Sequence, residues 1–114
     1  MIKIYLATVY SGTPKQQEER FVKVNKIAAD LMAKGFLVFS PISHTHPIAL
    51  AGDLPKDWEF WKEYDSTFIK WADEIHVFMQ DGWKKSTGVT AEIRIAKKLN
   101  KPVLFIEDAN GLLP

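Results

Sequence analysis

Glu92 closes the segment Ser86-Thr87-Gly88-Val89-Thr90-Ala91-Glu92. Val89, Ile93 and Ala96 form the inward stripe of a predicted helix there. Glu92 lies three residues after Val89 and four before Ala96, so it faces largely the same way. A carboxylate aimed at a sheet edge is costly unless it is solvated, paired or put to use. Glu92 also sits within two turns of the helix start, where the macrodipole modestly favours its ionised form. By spacing alone the better-supported reading is a solvated helix glutamate, paired with Lys62 or another cation.

Other candidates share the same predicted edge of the fold. Free N–H groups at a helix start, with the Ser86 and Thr87 hydroxyls beside them and Gly88 allowing close approach, suit an anion such as phosphate. Ordinary N-capping by Ser86 or Thr87 explains the same residues and is favoured there. Tyr10, Ser11 and Gly12 follow the first predicted strand and could contact a ribose or phosphate. No G-x-G-x-x-G or G-x-x-x-x-G-K motif occurs, which disfavours dinucleotide oxidoreductases and P-loop enzymes. Asp65 shares the aromatic side of its helix with Trp58 and Trp61. A carboxylic acid among aromatics can serve as a general acid, while a surface salt bridge is the plainer alternative. Asp73 reads as a turn residue. His44 and His46 form a weak metal motif without a fixed third ligand, so no metal is expected and substrate contact by His44 is the alternative. Trp58, Trp61 and Trp71 read as core. Trp83, in a polar loop, is the tryptophan placed to stack on a base or shape a pocket.

The elements that must position these residues alternate along the chain. Strands are predicted at Ile2 to Ala7, Phe36 to Phe39, Ile75 to Met79 and Val103 to Ile106, from short apolar runs bounded by breakers. Helices are predicted from Thr13–Pro14 to about Lys34, from about Pro55 to Ala72, and from about Thr87 to Leu99. Thr13 is the expected N-cap of the first, with Gly35 at its end, and Asp53 a candidate cap of the second. A long functional loop is expected from Ile42 to Leu54, carrying both histidines. The tail from Glu107 to Pro114 could hold a turn or a partner contact. Strands alternating with helices imply parallel pairing through right-handed crossovers. The fold class is therefore α/β, with an open parallel sheet of four to five strands and helices on both faces. Ligands bind such sheets beyond the carboxyl ends of the strands, where every candidate above lies.

Composition bounds the function. The 114 residues suit one domain, expected to span 1–114. Hydrophobic residues at 46% and charged residues at 25% fit a globular protein. A net charge of +1 argues against a nucleic-acid polymer or an anionic membrane as partner. Without cysteine, disulfides and thiolate metal sites are excluded, and a cytoplasmic setting fits. No secretory leader or membrane-spanning run is evident.

Several segments together resemble the nucleoside 2-deoxyribosyltransferase superfamily. They are Ile4-Tyr5-Leu6-Ala7 with Tyr10, Trp71-Ala72-Asp73-Glu74-Ile75, and Ser86 to Glu92 followed by Ala96 and Lys101-Pro102-Val103. Phe39 to His44 and Gly82 to Ser86 resemble a small, largely uncharacterised branch of it. The resemblance implies a Rossmann- or flavodoxin-like three-layer α/β/α fold. It also implies cleavage of an N-glycosidic bond, without a cofactor, in a small-molecule nucleoside or nucleotide. Glu92 would attack the anomeric carbon as nucleophile, and Asp65 would assist departure of the base. Tyr10, Ser11, Gly12, His44, Trp83, Ser86 and Gly88 would contact substrate. Serine at position 86, where the transferases tend to carry an acid, implies a nucleoside 5′-monophosphate hydrolase. Deoxyribosyl transfer and a non-catalytic nucleotide-binding module are the alternatives. A homodimer or higher homo-oligomer is also implied.

Overall fold

Side-chain alternation in the first strand divides the molecule into its layers. A computed structural model describes residues 1–107, and the tail expected to carry a turn or contact lies, beyond Glu107, outside the described residues. In β1 (Lys3–Ala7), Ile4 and Leu6 point to one face and Tyr5 and Ala7 to the other. Ile4 and Leu6 pack with Val24, Ile27, Ala28 and Leu31 of α1 (Pro14–Ala33). Tyr5 and Ala7 meet Ile69 of α3 (Trp58–Trp71), and Val89 and Ala96 of α4 (Thr87–Lys98). The sheet is completed by β2 (Leu37–Phe39), β3 (Glu74–Phe78) and β4 (Val103–Ile106). All pairings are parallel, in the order β2-β1-β3-β4. The four strands and the α/β class with helices on both faces are as expected. The chain leaves β1 for β2 on one side and crosses back to β3 on the other. That reversal opens a crevice at the carboxyl ends of β1 and β3.

Local chemistry explains most boundaries. Thr13 accepts from the Gln16 N–H at 3.2 Å while the Gln16 side chain accepts from the Thr13 N–H at 2.9 Å, a reciprocal capping box with Pro14 in the first turn. Gly35, at φ +98°, follows α1 in a conformation that a side chain would strain. Asp73 opens β3 as a turn residue, its carboxylate accepting from the Lys3 N–H at 2.9 Å. Lys101 donates to the carbonyls of Lys70 and Ala72 at 2.7 and 2.5 Å, tying a cation to the end of α3.

The expected loop from Ile42 to Leu54 is instead a helix, α2 (Pro41–Gly52). Pro41 sits in its first turn, where a missing N–H costs nothing. Pro47 lies inside it, exposed, and the helix continues past it. Asp53 does not cap the next helix; it ends α2 in the left-handed conformation at φ 52°. The aromatic helix then starts at Trp58 behind Asp57, three residues later than expected.

Candidate active site

Glu92 is 4% exposed, in the second turn of α4, and among the described residues it has no cation partner, so the expected pairing with Lys62 or another cation is not made. Its partner is Tyr5, fully buried in β1, whose hydroxyl donates to Glu92 Oε2. The strand places the ring on the α3–α4 side, and the helix brings the carboxylate down to meet it. Asp65 comes from α3 and is 7% exposed. Its Oδ1 is buried without a hydrogen-bond partner among the described residues. An unsatisfied buried carboxyl oxygen is expensive, so it is either protonated or waiting for a partner.

Burial raises both carboxyls. Glu92 is pushed well above the usual carboxylate range by burial and then by the Asp65 charge, with the Tyr5 hydroxyl pulling it down. Asp65 is pushed up to about 7 by burial, again opposed by Tyr5. Tyr5 is itself held protonated by burial and by the two neighbouring carboxyls. Two buried acids this close do not ionise together readily, so the pair retains a proton near neutral pH. Such a pair can keep one carboxylate for attack and one carboxylic acid for proton delivery.

Both carboxyls line a pocket of about 320 Å³ at the crevice. Of the expected contacts, Tyr10, Ser11, Ser86 and Gly88 line it too. Ser86 caps α4, accepting from the Val89 N–H at 3.1 Å. Its own O–H remains free to donate, and the first-turn N–H groups of Thr87 and Gly88 have no intrahelical acceptor. The loop after β1 is held by Arg20, which donates to the carbonyls of Ser11 and, at 3.4 Å, of Tyr10 and Asp81. Gln80 donates to the Thr8 hydroxyl at 2.8 Å from the β3 side.

Three expected contacts lie elsewhere. Gly12 is in the turn but faces α1: a Cβ there would meet Gln16 Oε1 at 2.5 Å, at a φ of +152°. Glycine is thus required by the turn. His44 is exposed on α2 and stacks at 6.2 Å on Tyr64, away from the pocket, because the helix turns it toward α3. Trp83 lies in a 3₁₀ turn (Trp83–Lys85), packed against the core and 5.4 Å from Phe105. Conversely, Trp58 and Trp61, expected in the core, line the pocket with Lys56 and Thr8. Tyr5 was missed because a tyrosine in an apolar strand reads as core; its one mark is a hydroxyl where the strand is otherwise aliphatic. Among the described residues no three His, Cys, Asp or Glu side chains converge on a metal site.

Residues 2–108 match the family described as a domain of unknown function, DUF1937. Two solved 2-deoxyribosyltransferases are similar in structure. One, from the psychrotolerant bacterium Bacillus psychrosaccharolyticus, is described as a biocatalyst for the synthesis of antiviral and antitumoral nucleosides. It is 28% identical, with a TM-score of 0.59 over 98% of this chain and 76% of its own. The other, from Leishmania mexicana, is 16% identical, with a TM-score of 0.64 over 94% of this chain and 65% of its own. The chain therefore spans about two thirds of the length of the Leishmania mexicana protein. No curated protein matches.

Proposed function

This chain belongs to the DUF1937 family, and from the pocket above and the likeness to a 28% identical 2-deoxyribosyltransferase we propose that it cleaves the N-glycosidic bond of a nucleoside 5′-monophosphate. One observation carries the reading: two carboxyls, Glu92 held by Tyr5 and Asp65 with a free buried oxygen, line a single pocket. Glu92 attacks the anomeric carbon as a carboxylate. The C–N bonding pair leaves with the base, and the Asp65 proton goes to that base. The product is a glycosyl ester on Glu92, reached through an oxocarbenium-like transition state that a buried carboxylate stabilises. Water then attacks the same carbon, giving its proton to Asp65 and freeing Glu92. A pKa of about 7 suits Asp65 to both steps.

The phosphate part rests on Ser86, the first-turn N–H groups of Thr87 and Gly88, and Lys56 in the same pocket lining. The test is incubation with a panel of nucleosides and their 5′-monophosphates, following free base by chromatography. Base release from monophosphates in preference to nucleosides is expected. Release from nucleosides alone overturns the phosphate assignment. Saturable binding without any release makes the protein a nucleotide-binding module. Deoxyribosyl transfer is the second reading, favoured by the 28% identical relative described as a 2-deoxyribosyltransferase. Adding a second free base and recovering a new nucleoside would establish it.

A further inference from the structure

A second chain of polar groups reaches the pocket from the opposite side of the sheet. Tyr10 lines the pocket, and its hydroxyl lies 2.5 Å from Nδ1 of His46 on α2. His46 is 3% exposed, covered by the Phe21 ring at 4.5 Å. Its Nε2 lies 2.9 Å from Oε1 of Glu18 on α1, whose side chain is 57% exposed. Two helices and a loop thus meet in one buried histidine that the proposed reaction leaves unused.

The order of the three groups dictates where the protons sit. A carboxylate only accepts, so Nε2 of His46 must donate to Glu18. In a neutral imidazole the other nitrogen is then an acceptor. The Tyr10 hydroxyl must donate to it, and its proton is committed away from the pocket. What the Tyr10 oxygen can still offer is a lone pair. Burial and the Glu18 charge both hold the phenol in its protonated form, as this arrangement requires.

Resting on the N-glycosidic reading of the pocket, we infer that Tyr10 is a specificity residue, fixed by His46 and Glu18 as an acceptor for a hydrogen-bond donor on the substrate. The donor is a hydroxyl of the sugar or an amine of the base, groups of one chemistry that the experiment separates. His46 and Glu18 are positioning residues: they touch Tyr10 and each other, and they set which way its proton points.

Two measurements test this. Long-range ¹H–¹⁵N spectroscopy of the free protein at pH 8 reads the ring directly. The Nε2–H tautomer is expected for His46, and an Nδ1-protonated ring overturns the inference. In Glu18→Gln the amide can donate as well as accept, so the Nδ1–H form should become populated. The second measurement is calorimetric binding in a Glu92→Ala background, which removes turnover. The probes are a nucleoside 5′-monophosphate, its 2′- and 3′-deoxy forms, and the analogue lacking the exocyclic amine of the base. One analogue should bind about tenfold or more weakly, the loss of one hydrogen bond to a fixed acceptor. Tyr10→Phe should bring that ratio to within about twofold, and Glu18→Gln should reduce it.

A ratio that persists in full in Tyr10→Phe, or the absence of discrimination among all probes, overturns the inference. Base release by the wild-type protein alongside that result leaves the proposed reaction standing. Tyr10-dependent discrimination without base release does the reverse. Failure of every probe to bind overturns both.

Discussion

Tyr5 and Asp65 set the protonation of Glu92, and each gives a prediction at the scale of one side chain. Tyr5→Phe keeps the ring in the core and removes the donor to Glu92. A hydrogen bond to a charged group is worth about 1.5–3 kcal/mol, so kcat should fall roughly 10- to 100-fold. Because that bond lowers the pKa of Glu92, its loss raises it. The acidic limb of the kcat/KM profile should therefore move to higher pH. A profile that stays in place would show that the hydroxyl does not act on the carboxylate.

Asp65 is raised in the fold from 3.8 to about 7, so the folded state holds this proton more tightly than the unfolded chain. The associated stability is present below pH 4 and is lost as pH rises to about 7. Asp65→Asn cannot ionise and escapes that loss. Denaturant titration at pH 8 should find it more stable than wild type by roughly 2–4 kcal/mol, with little difference at pH 4. Base release should be lost in the same variant. An equal or lower stability at pH 8 would mean that Asp65 is not held protonated by burial.

Among the elements, those with a clear period were legible. Strand alternation in β1 and the stripe Val24, Ile27, Ala28 and Leu31 in α1 are plain in the sequence, as is the Thr13 cap. Thr13→Ala should cost about 1 kcal/mol, read as a lowered Tm. An unchanged Tm would contradict the capping box. The helix α2 was not legible because it buries only Pro41, Thr45, His46 and Ala49, which form no apolar stripe, and Pro47 reads as a breaker. With α2 read as a loop, nothing distinguished His44 from His46. The helix buries His46 and exposes His44, the histidine expected to contact substrate. Glu92 was marked by its place on an apolar face, but spacing alone favoured a solvated residue paired with a cation, whereas it is buried and bonded to Tyr5. Trp58 and Trp61 were not legible, since an aromatic stripe on a helix fits core and pocket wall equally well.

At the scale of the whole molecule, the fold and the likeness to nucleoside 2-deoxyribosyltransferases expected from the sequence are borne out. Among the described residues no helix is long and apolar enough to cross a membrane. Phe60, Trp71, Leu104 and Phe105 stay exposed, and we propose that such apolar surface serves the self-association that the resemblance implies. Sedimentation should find a dimer or larger species, and a monomer at all concentrations would contradict it. The proposed reaction makes Glu92 the nucleophile of the two carboxyls that line the pocket. The most direct test is the rate of base release from a nucleoside 5′-monophosphate by Glu92→Ala beside the wild-type protein. A fall of at least about a thousandfold is expected, the loss of roughly 4 kcal/mol of transition-state stabilisation. Base release that continues undiminished in the variant would contradict the account.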